Sequence, residues 1–380
     1  MILVTGATGF IGSHLVDRLV RSTSRNADRV VRSTSENAER LVRSASENAE
    51  RLVRAAPENA DRLVRSAPEN ARLVCAEPVR VLVRRTGLFE NTPVDVFRGD
   101  LVGGEGLSRS LAGVDTVIHL AGVTKALSVA EYYAGNVRAT ENLARAVEGT
   151  RRPIRFIHVS SLAAMGPGHD ATPIAEDAEP HPVTHYGKSK LEGERVVRSI
   201  LPDAVIVRPP AVYGPRDTDV FEILKAVNRG IVMRVGGGEG QDQEQWFSAI
   251  CVSDLVDGIL AAAREPRAIG RTYFLAHAGV VSWTELVKIA ARIMGRTPRI
   301  VHVPPSAAYA AGFCAELWSR VTRKPGIVSR DKVADLQCRY WICDTRRAKE
   351  ELGFEAPTNI GEGLAIALAW YREAGWLKWG

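Results

Sequence analysis

Met1-Ile2-Leu3-Val4-Thr5-Gly6-Ala7-Thr8-Gly9-Phe10-Ile11-Gly12 opens the chain, and the fold is decided by how this stretch is read. Ile2-Leu3-Val4 is a short, continuous apolar run of the kind that forms a strand buried on both faces. The glycine-spaced residues after it turn that strand into a helix starting near Phe10. Gly6 permits the tight turn, Gly9 lets backbone amides approach a pyrophosphate, and Gly12 lets helix and strand pack closely. The helix N-terminus adds partial positive charge. A glycine trio alone says little, but here strand, turn and helix surround it, which is the context a dinucleotide site requires. Thr5, Gly6, Thr8, Gly9, Phe10, Ile11 and Gly12 are the candidate cofactor contacts of this turn.

Working outward, strands are expected at Val79 to Val83, Val94 to Phe97, Thr116 to Leu120, Ile154 to Ser160 and Ala204 to Val207, most of them separated by helical segments. Such alternation predicts an α/β fold with a doubly wound parallel sheet, a Rossmann arrangement. The organisation expected is a nucleotide-binding domain over residues 1–208 and a smaller substrate lobe over 209–380, interleaved with late sheet elements. From Pro209 onward the pattern is less regular and contains Gly236-Gly237-Gly238.

Between the first helix and the second strand stand five tandem copies of an eleven-residue unit, LVRSTSRNADR from Leu19 to LVRSAPENAR from Leu63. An eleven-residue period is about 3.67 residues per turn and suits an amphipathic helix. Ser33 with Glu36 and Ser44 with Glu47 read as capping boxes, whereas Pro57 and Pro68 break a helix interior, so a broken helical arm is expected. Removing about residues 21–78 joins helix to strand in an ordinary step. The repeats are therefore an insertion on the side of the sheet away from the strands' carboxyl ends, where ligands bind.

The 380 residues are 45% apolar and 25% charged, the composition of a soluble globular protein. The net charge of +6 is spread along the chain rather than gathered in blocks, which argues against nucleic acid as a partner. Cys75, Cys251, Cys314, Cys338 and Cys343 show no C-x-x-C spacing and read as buried thiols of a reduced, cytoplasmic protein. No signal segment is evident at Met1. The apolar stretch Ala307 to Trp318 is shorter than the roughly 20 residues of a membrane span and is expected as a packed helix. His158, His169, His181 and His185 lack metal-ligand spacing, so no metal is expected, although His185 could line a pocket.

Tyr186-Gly187-Lys188-Ser189-Lys190 carries the chemistry. At i and i+4 of a helix, Tyr186 and Lys190 project from one face, where an ammonium is expected to lower the phenol's pKa and make it a general acid/base. Ser161 follows the strand ending at Ser160, and Ser160 is expected to cap that strand end. Arg84-Arg85 after Val83 would suit a 2′-phosphate through paired guanidinium hydrogen bonds, favouring NADP over NAD.

With its T-G-x-x-G-x-x-G turn, Ser161 five residues before Gly166, and Y-x-x-x-K, the chain resembles the extended short-chain dehydrogenase/reductase family, also called the NAD-dependent epimerase/dehydratase family. The resemblance covers everything except the repeats. It implies that Ser161, Tyr186 and Lys190 are catalytic and that Lys190 also holds the nicotinamide ribose. It implies further cofactor contacts at Asp100-Leu101, Ala121-Gly122 within His119-Leu120-Ala121-Gly122, Asn136 and Pro209, and a homodimer.

Sugar-nucleotide epimerases of the family tend to carry Arg-x-x-Asn and Arg-Asp-aromatic-x-His-Val. Here Arg208-Pro209-Pro210-Ala211 lacks the Asn, and Phe247-Ser248-Ala249-Ile250-Cys251-Val252 lacks the Arg. The lobe is more similar to the dihydroflavonol reductase and 3β-hydroxysteroid dehydrogenase branch, which implies a less charged small-molecule alcohol or ketone. Arg234 remains a candidate for a phosphate, and Tyr213, Trp246, Phe247 and Trp283 suit an apolar pocket or a core. The reading is hydride transfer between NADP(H) and a carbonyl or alcohol carbon. The alternatives are a sugar-nucleotide epimerase or dehydratase with retained NAD, and a non-catalytic NADP-sensing scaffold.

Overall fold

A computed structural model describes residues 1–22, 78–85, 89, 92–236, 244–322 and 330–378. The strands are β1 (Ile2–Thr5), β2 (Val79–Val83), β3 (Asp95–Arg98), β4 (Thr116–His119), β5 (Arg155–Val159) and β6 (Val205–Arg208). They continue with β7 (Ala211–Tyr213), β8 (Ile231–Val235), β9 (Trp246–Cys251), β10 (Thr272–Phe274), β11 (Val280–Ser282), β12 (Arg299–Val303) and β13 (Tyr340–Trp341).

Seven of them make one parallel sheet in the order β10-β6-β5-β4-β1-β2-β3. The glycine-turn strand β1 lies between β2 and β4, so the strand order reverses at β1 and a crevice opens above its carboxyl end. The five expected strands form within a residue or two. A late strand, β10, completes the sheet.

Alternation along the strands explains why the sheet is covered on both faces. Val4, Val81, Ile118, Ile157 and Val207 pack on one side with Leu15, Val16 and Leu19 of the helix over residues 10–22 and with Leu255 and Ile259 of the helix Val252–Arg264. Leu3, Leu82, Val117 and Phe156 face the other way, against Leu107, Leu111, Leu143, Val147 and Val197. Burying each such side chain stabilises by about 2 kcal/mol, so the sheet is a rigid base for whatever its carboxyl edge carries. A separate cluster around Tyr213, Leu224, Leu286, Leu364 and Tyr371 packs the later helices onto β7, β9 and β11.

Beyond Leu19 to Ser22, which lie in the first helix, the repeat copies with Ser33, Glu36, Ser44, Glu47, Pro57 and Pro68, and then Cys75, fall among residues 23–77, outside the described residues. On either side of them the chain behaves as expected. The first helix runs over 10–22, and the Ile2 amide donates to the Pro78 carbonyl (3.0 Å) where β2 begins.

Two expectations need correction. The stretch from Ala307 to Trp318 is helical, within the helix Pro305–Thr322, but Tyr309, Phe313 and Trp318 are exposed rather than packed, because small residues occupy the inward face. Cys251 and Cys343 are buried thiols, but Cys338 is half-buried and Cys314, on that same helix, is exposed. Among the described residues no helix is long and apolar enough to cross a membrane.

Candidate active site

At the end of β1 the backbone itself forms a cradle. Gly6 has φ +72°, and a Cβ there would lie 2.6 Å from the Ala121 nitrogen. A Cβ on Gly12 would lie 2.1 Å from the Gly6 carbonyl oxygen, so only glycine lets the helix start this close to the turn. The Gly9 amide donates to Gly6 (2.9 Å), Thr8 and Gly9 are exposed, and Phe10 and Ile11 are half-buried. Bare backbone at a helix N-terminus fits a pyrophosphate. Thr5 differs from its neighbours: it is fully buried, and its Oγ1 bonds His119 Nδ1 (2.7 Å), which ties the turn to β4.

The remaining cofactor candidates ring the same edge. Arg84 and Arg85 follow β2 and are exposed. The Asp100 carboxylate accepts from the amides of Val102 (3.2 Å) and Gly103 (3.0 Å), closing its own turn, while Leu101 packs against the core. Asn136 lies in a π-helical turn, Ala134–Arg138, and is buried. Its Oδ1 accepts from the Val123 amide (2.7 Å), and its Nδ2 donates to the Val123 carbonyl and to Ser189 Oγ, both at 2.9 Å. It clamps the loop after β4 onto the helix His185–Ile200. A Cβ on exposed Gly122 would lie 3.7 Å from Lys190 Nζ, placing the Ala121-Gly122 strand end beside that lysine. Pro209 is buried and its carbonyl accepts from the Leu162 amide (2.8 Å).

Ser161, Tyr186 and Lys190 come together at the centre of this edge. Thr184 caps the helix His185–Ile200, accepting from the Gly187 amide (3.0 Å). Ser161 caps the short 3-10 turn Leu162–Ala164. A Cβ on Gly187 would lie 2.2 Å from the Ala163 carbonyl oxygen, so its absence lets helix and turn touch. That contact brings the Ser161 hydroxyl close enough to the Tyr186 phenol to influence its ionisation. Lys190 is 4% exposed and donates from Nζ to the Val159 carbonyl (2.9 Å) at the end of β5. Burial pushes its pKa down to about 8, partly offset by Glu194.

Here the expected electrostatics are corrected. Burial raises the Tyr186 pKa; the nearby Ser161 hydroxyl opposes the rise and Tyr132 adds to it. The lysine is turned to the Val159 carbonyl, and burial weakens its own hold on a proton, so the lowering expected from Lys190 is not what the phenol experiences. Tyr132, whose ring lies 6.4 Å from that of Tyr186, was not marked by any sequence signal. Gly187 was legible in principle, as the small residue next to the tyrosine.

Beneath these groups runs a row of buried imidazoles. His119 bonds Thr5 at Nδ1 and Thr140 at Nε2 (3.0 Å), and burial pushes its pKa down to about 3. His158 stacks on it at 5.4 Å and is likewise driven neutral by burial first and by Lys190 second. Among the described residues neither ring nitrogen of His158 has a hydrogen-bond partner, nor does Ser160 Oγ. Ser160 therefore does not cap the strand with its hydroxyl; its amide alone bonds Val207 (2.7 Å). The His185 side chain is exposed, and its amide donates to Asp331 (2.7 Å). His169 and His181 stack at 4.8 Å near the surface.

Arg208 and Arg234 both have carboxylate partners. Arg208 is buried against Glu194, with contacts of 3.0 and 2.6 Å. Arg234 pairs with Glu244 at 3.2 Å and lies over the Trp283 ring. Tyr213 belongs to the core, Phe247 is half-buried and Trp246 is 37% exposed. Among the described residues no three His, Cys, Asp or Glu side chains are grouped to hold a metal ion.

Comparison with known proteins agrees with this fold. Residues 2–276 match the family model "NAD dependent epimerase/dehydratase family". The chain is 32% identical over 305 residues to the ceramide reductase of Caulobacter vibrioides, covering 78% of this chain and 88% of that protein. It is 28% identical over 278 residues to the N-acetyl-alpha-D-glucosaminyl-diphospho-ditrans,octacis-undecaprenol 4-epimerase of Escherichia coli O157:H7, covering 70% and 80%. Among solved structures, MoeE5 in complex with UDP-glucuronic acid and NAD shares the fold, with TM-score 0.67 and 24% identity over 98% of this chain and 99% of that one. The chain belongs to the NAD dependent epimerase/dehydratase family and is an NAD-dependent enzyme of the extended short-chain dehydrogenase/reductase type.

Proposed function

We propose that the enzyme is a ketoreductase that moves hydride between NADP(H) and a carbonyl or alcohol carbon of an apolar, long-chain substrate. The observation that carries this reading is the pairing of Arg234 with Glu244, together with the burial of Arg208 on Glu194. Both arginines already have carboxylate partners, whereas a sugar diphosphate needs cations to receive it. The named substrates of relatives point the same way. Besides the ceramide reductase, they include a farnesyl-dihydroquinoline-oxide ketoreductase of Stigmatella aurantiaca (26% identical) and a 2-alkyl-3-oxoalkanoate reductase of Shewanella oneidensis (22% identical).

The cradle from Gly6 to Gly12 would hold the pyrophosphate, with exposed Arg84 and Arg85 beside the adenosine ribose favouring its 2′-phosphate. When bound, the nicotinamide supplies or accepts the hydride. Ser161 donates a hydrogen bond to the reacting oxygen, and Tyr186 gives that oxygen its proton in reduction or takes it in oxidation. The raised pKa keeps the phenol protonated, the form a reductase needs. Lys190, which donates to the Val159 carbonyl, would bond the nicotinamide ribose.

The second reading is an epimerase that regenerates a retained NAD, supported by the likeness to the undecaprenol-linked 4-epimerase. One set of measurements separates the two. The purified enzyme is analysed for retained nucleotide, and nicotinamide absorbance is followed with NADPH and NADH against long-chain ketones and sugar nucleotides. Exchangeable NADPH consumed with a hydrophobic ketone is expected. Tightly held NAD with no net consumption would sink the reductase reading, and consumption of NADH alone would remove the role given to Arg84 and Arg85.

A further inference from the structure

The helix Pro305–Thr322 has its apolar pattern the wrong way round. Its inward positions are small: Ala308 and Gly312 are buried, Ala315 is half-buried and Ser319 is 9% exposed. That i, i+4, i+7, i+11 spacing is one helix face. Tyr309, Phe313 and Trp318 instead face solvent, at 38%, 54% and 70% exposed. An ordinary surface helix buries such residues and exposes charge.

The strands beside it repeat the inversion. In the two-stranded parallel sheet β8-β12, Met233 and Val301 are register partners and are 71% and 46% exposed, with Ile231 at 57%. β12 leads within two residues into the helix, so the two sets of exposed apolar side chains belong to adjoining elements.

Arginines outnumber acids in the sequence that builds this surface. Between residues 292 and 322 stand Arg292, Arg296, Arg299 and Arg320 against the single acid Glu316. Arg229 ends the helix before β8 and is exposed, as are Arg292 and Arg299. A two-fold contact with a second copy would bring these arginines against themselves. An apolar face carrying Trp, Phe and Tyr with an arginine rim matches the interface of an anionic bilayer, where aromatic rings sit at headgroup level.

The surface is also near the chemistry. The helix Pro305–Thr322 packs on the helix Arg330–Gln337, and Asp331 of the latter accepts from the amide of His185, the residue before Tyr186.

We propose that the outward face of Pro305–Thr322, with β8 and β12, rests on an anionic lipid bilayer, from which the long-chain substrate of the reading above reaches the site. No span is implied: the protein lies on the membrane through this face.

Cosedimentation of the full chain with extruded vesicles tests the docking without substrate or turnover, so its result stands whether or not the ketoreductase reading holds. Binding is expected to vesicles of phosphatidylcholine with phosphatidylglycerol, to be weaker to phosphatidylcholine alone, and to fall as salt is raised. The double variant Phe313→Ser/Trp318→Ser is expected to bind about tenfold more weakly or less. Circular dichroism, and consumption of NADPH with a short, water-soluble ketone where the enzyme accepts one, should match the wild type. The proposal is overturned if the wild type stays in the supernatant with every vesicle, or if the double variant sediments equally well. It is also overturned if the wild type elutes as a dimer that the double variant converts to monomer without any vesicle binding, which would make the occupant a second copy.

Discussion

Two helices of this enzyme turn small residues inward, and they do so to opposite ends. In His185–Ile200 the inward set includes Gly187, Ser189 and Gly193, and the closeness they allow brings Tyr186 to Ser161 and holds Lys190 buried beside the end of β5. In Pro305–Thr322 the inward set includes Ala308, Gly312 and Ser319, and it leaves Tyr309, Phe313 and Trp318 outside. The first helix gives up apolar burial in order to place polar groups. The second leaves its apolar groups for another surface. Small residues on a helix thus mark close approach, and what the large and polar residues do decides the purpose.

The sharpest way to break the first half of that comparison is Tyr186→Phe. If the phenol exchanges the proton, its loss should lower turnover between about a hundredfold and ten-thousandfold, with the urea midpoint little changed. An unchanged rate of NADPH consumption would remove Tyr186 from the chemistry and reduce Gly187 to a packing residue.

Gly187→Ala asks whether the closeness itself is needed. Its Cβ would meet the Ala163 carbonyl oxygen at 2.2 Å, backbone against backbone, so helix and turn must separate. A loss of about 2 kcal/mol in stability is expected from overpacking, accompanied by a fall in turnover because Ser161 rides on the turn that moves. Wild-type stability measured by urea denaturation would show that the helix tolerates a side chain here.

How far these features could be read from the residues depends on what dictates them. The turn from Thr5 to Gly12 was legible because a left-handed φ at Gly6 and a backbone contact at Gly12 leave almost no choice of residue. Tyr186 and Lys190 were legible because i, i+4 spacing fixes a shared helix face. Their mutual influence was not, since the pKa of a phenol depends on burial and on which way an ammonium is turned, and neither is written in spacing. β10 is three residues long and pairs with β6 only because the intervening lobe returns it to the sheet, so local pattern carries no trace of it. The same limit explains Pro305–Thr322: periodicity tells which residues share a face, not which face is covered.

A pH measurement sharpens the role of buried Lys190. Its pKa is about 8 in the folded chain against 10.5 for an ordinary lysine. Between those values the unfolded chain binds a proton that the folded chain has released, so stability from this group rises with pH. Below about pH 8 the charged lysine is carried at full cost. The tyrosines act in reverse: burial raises Tyr186, Tyr213 and Tyr371 above 10, so the stability they give is present below pH 10 and lost above it. The window is therefore pH 8 to 10. There the urea midpoint of the wild type should climb relative to Lys190→Met, and parallel curves would mean the lysine is not desolvated as the structure places it.

The smallest effect is expected on the second helix, and its smallness is the point. Trp318 is 70% exposed, and Ser has nearly the same helix propensity as Trp, so Trp318→Ser should change stability by less than about 0.5 kcal/mol. A buried tryptophan would cost several times that. Urea denaturation in the absence of lipid therefore distinguishes a side chain that the fold uses from one it only carries. A loss comparable to that of Gly187→Ala would mean Trp318 packs on the protein after all, and the contrast between the two helices would collapse into a single kind of packing.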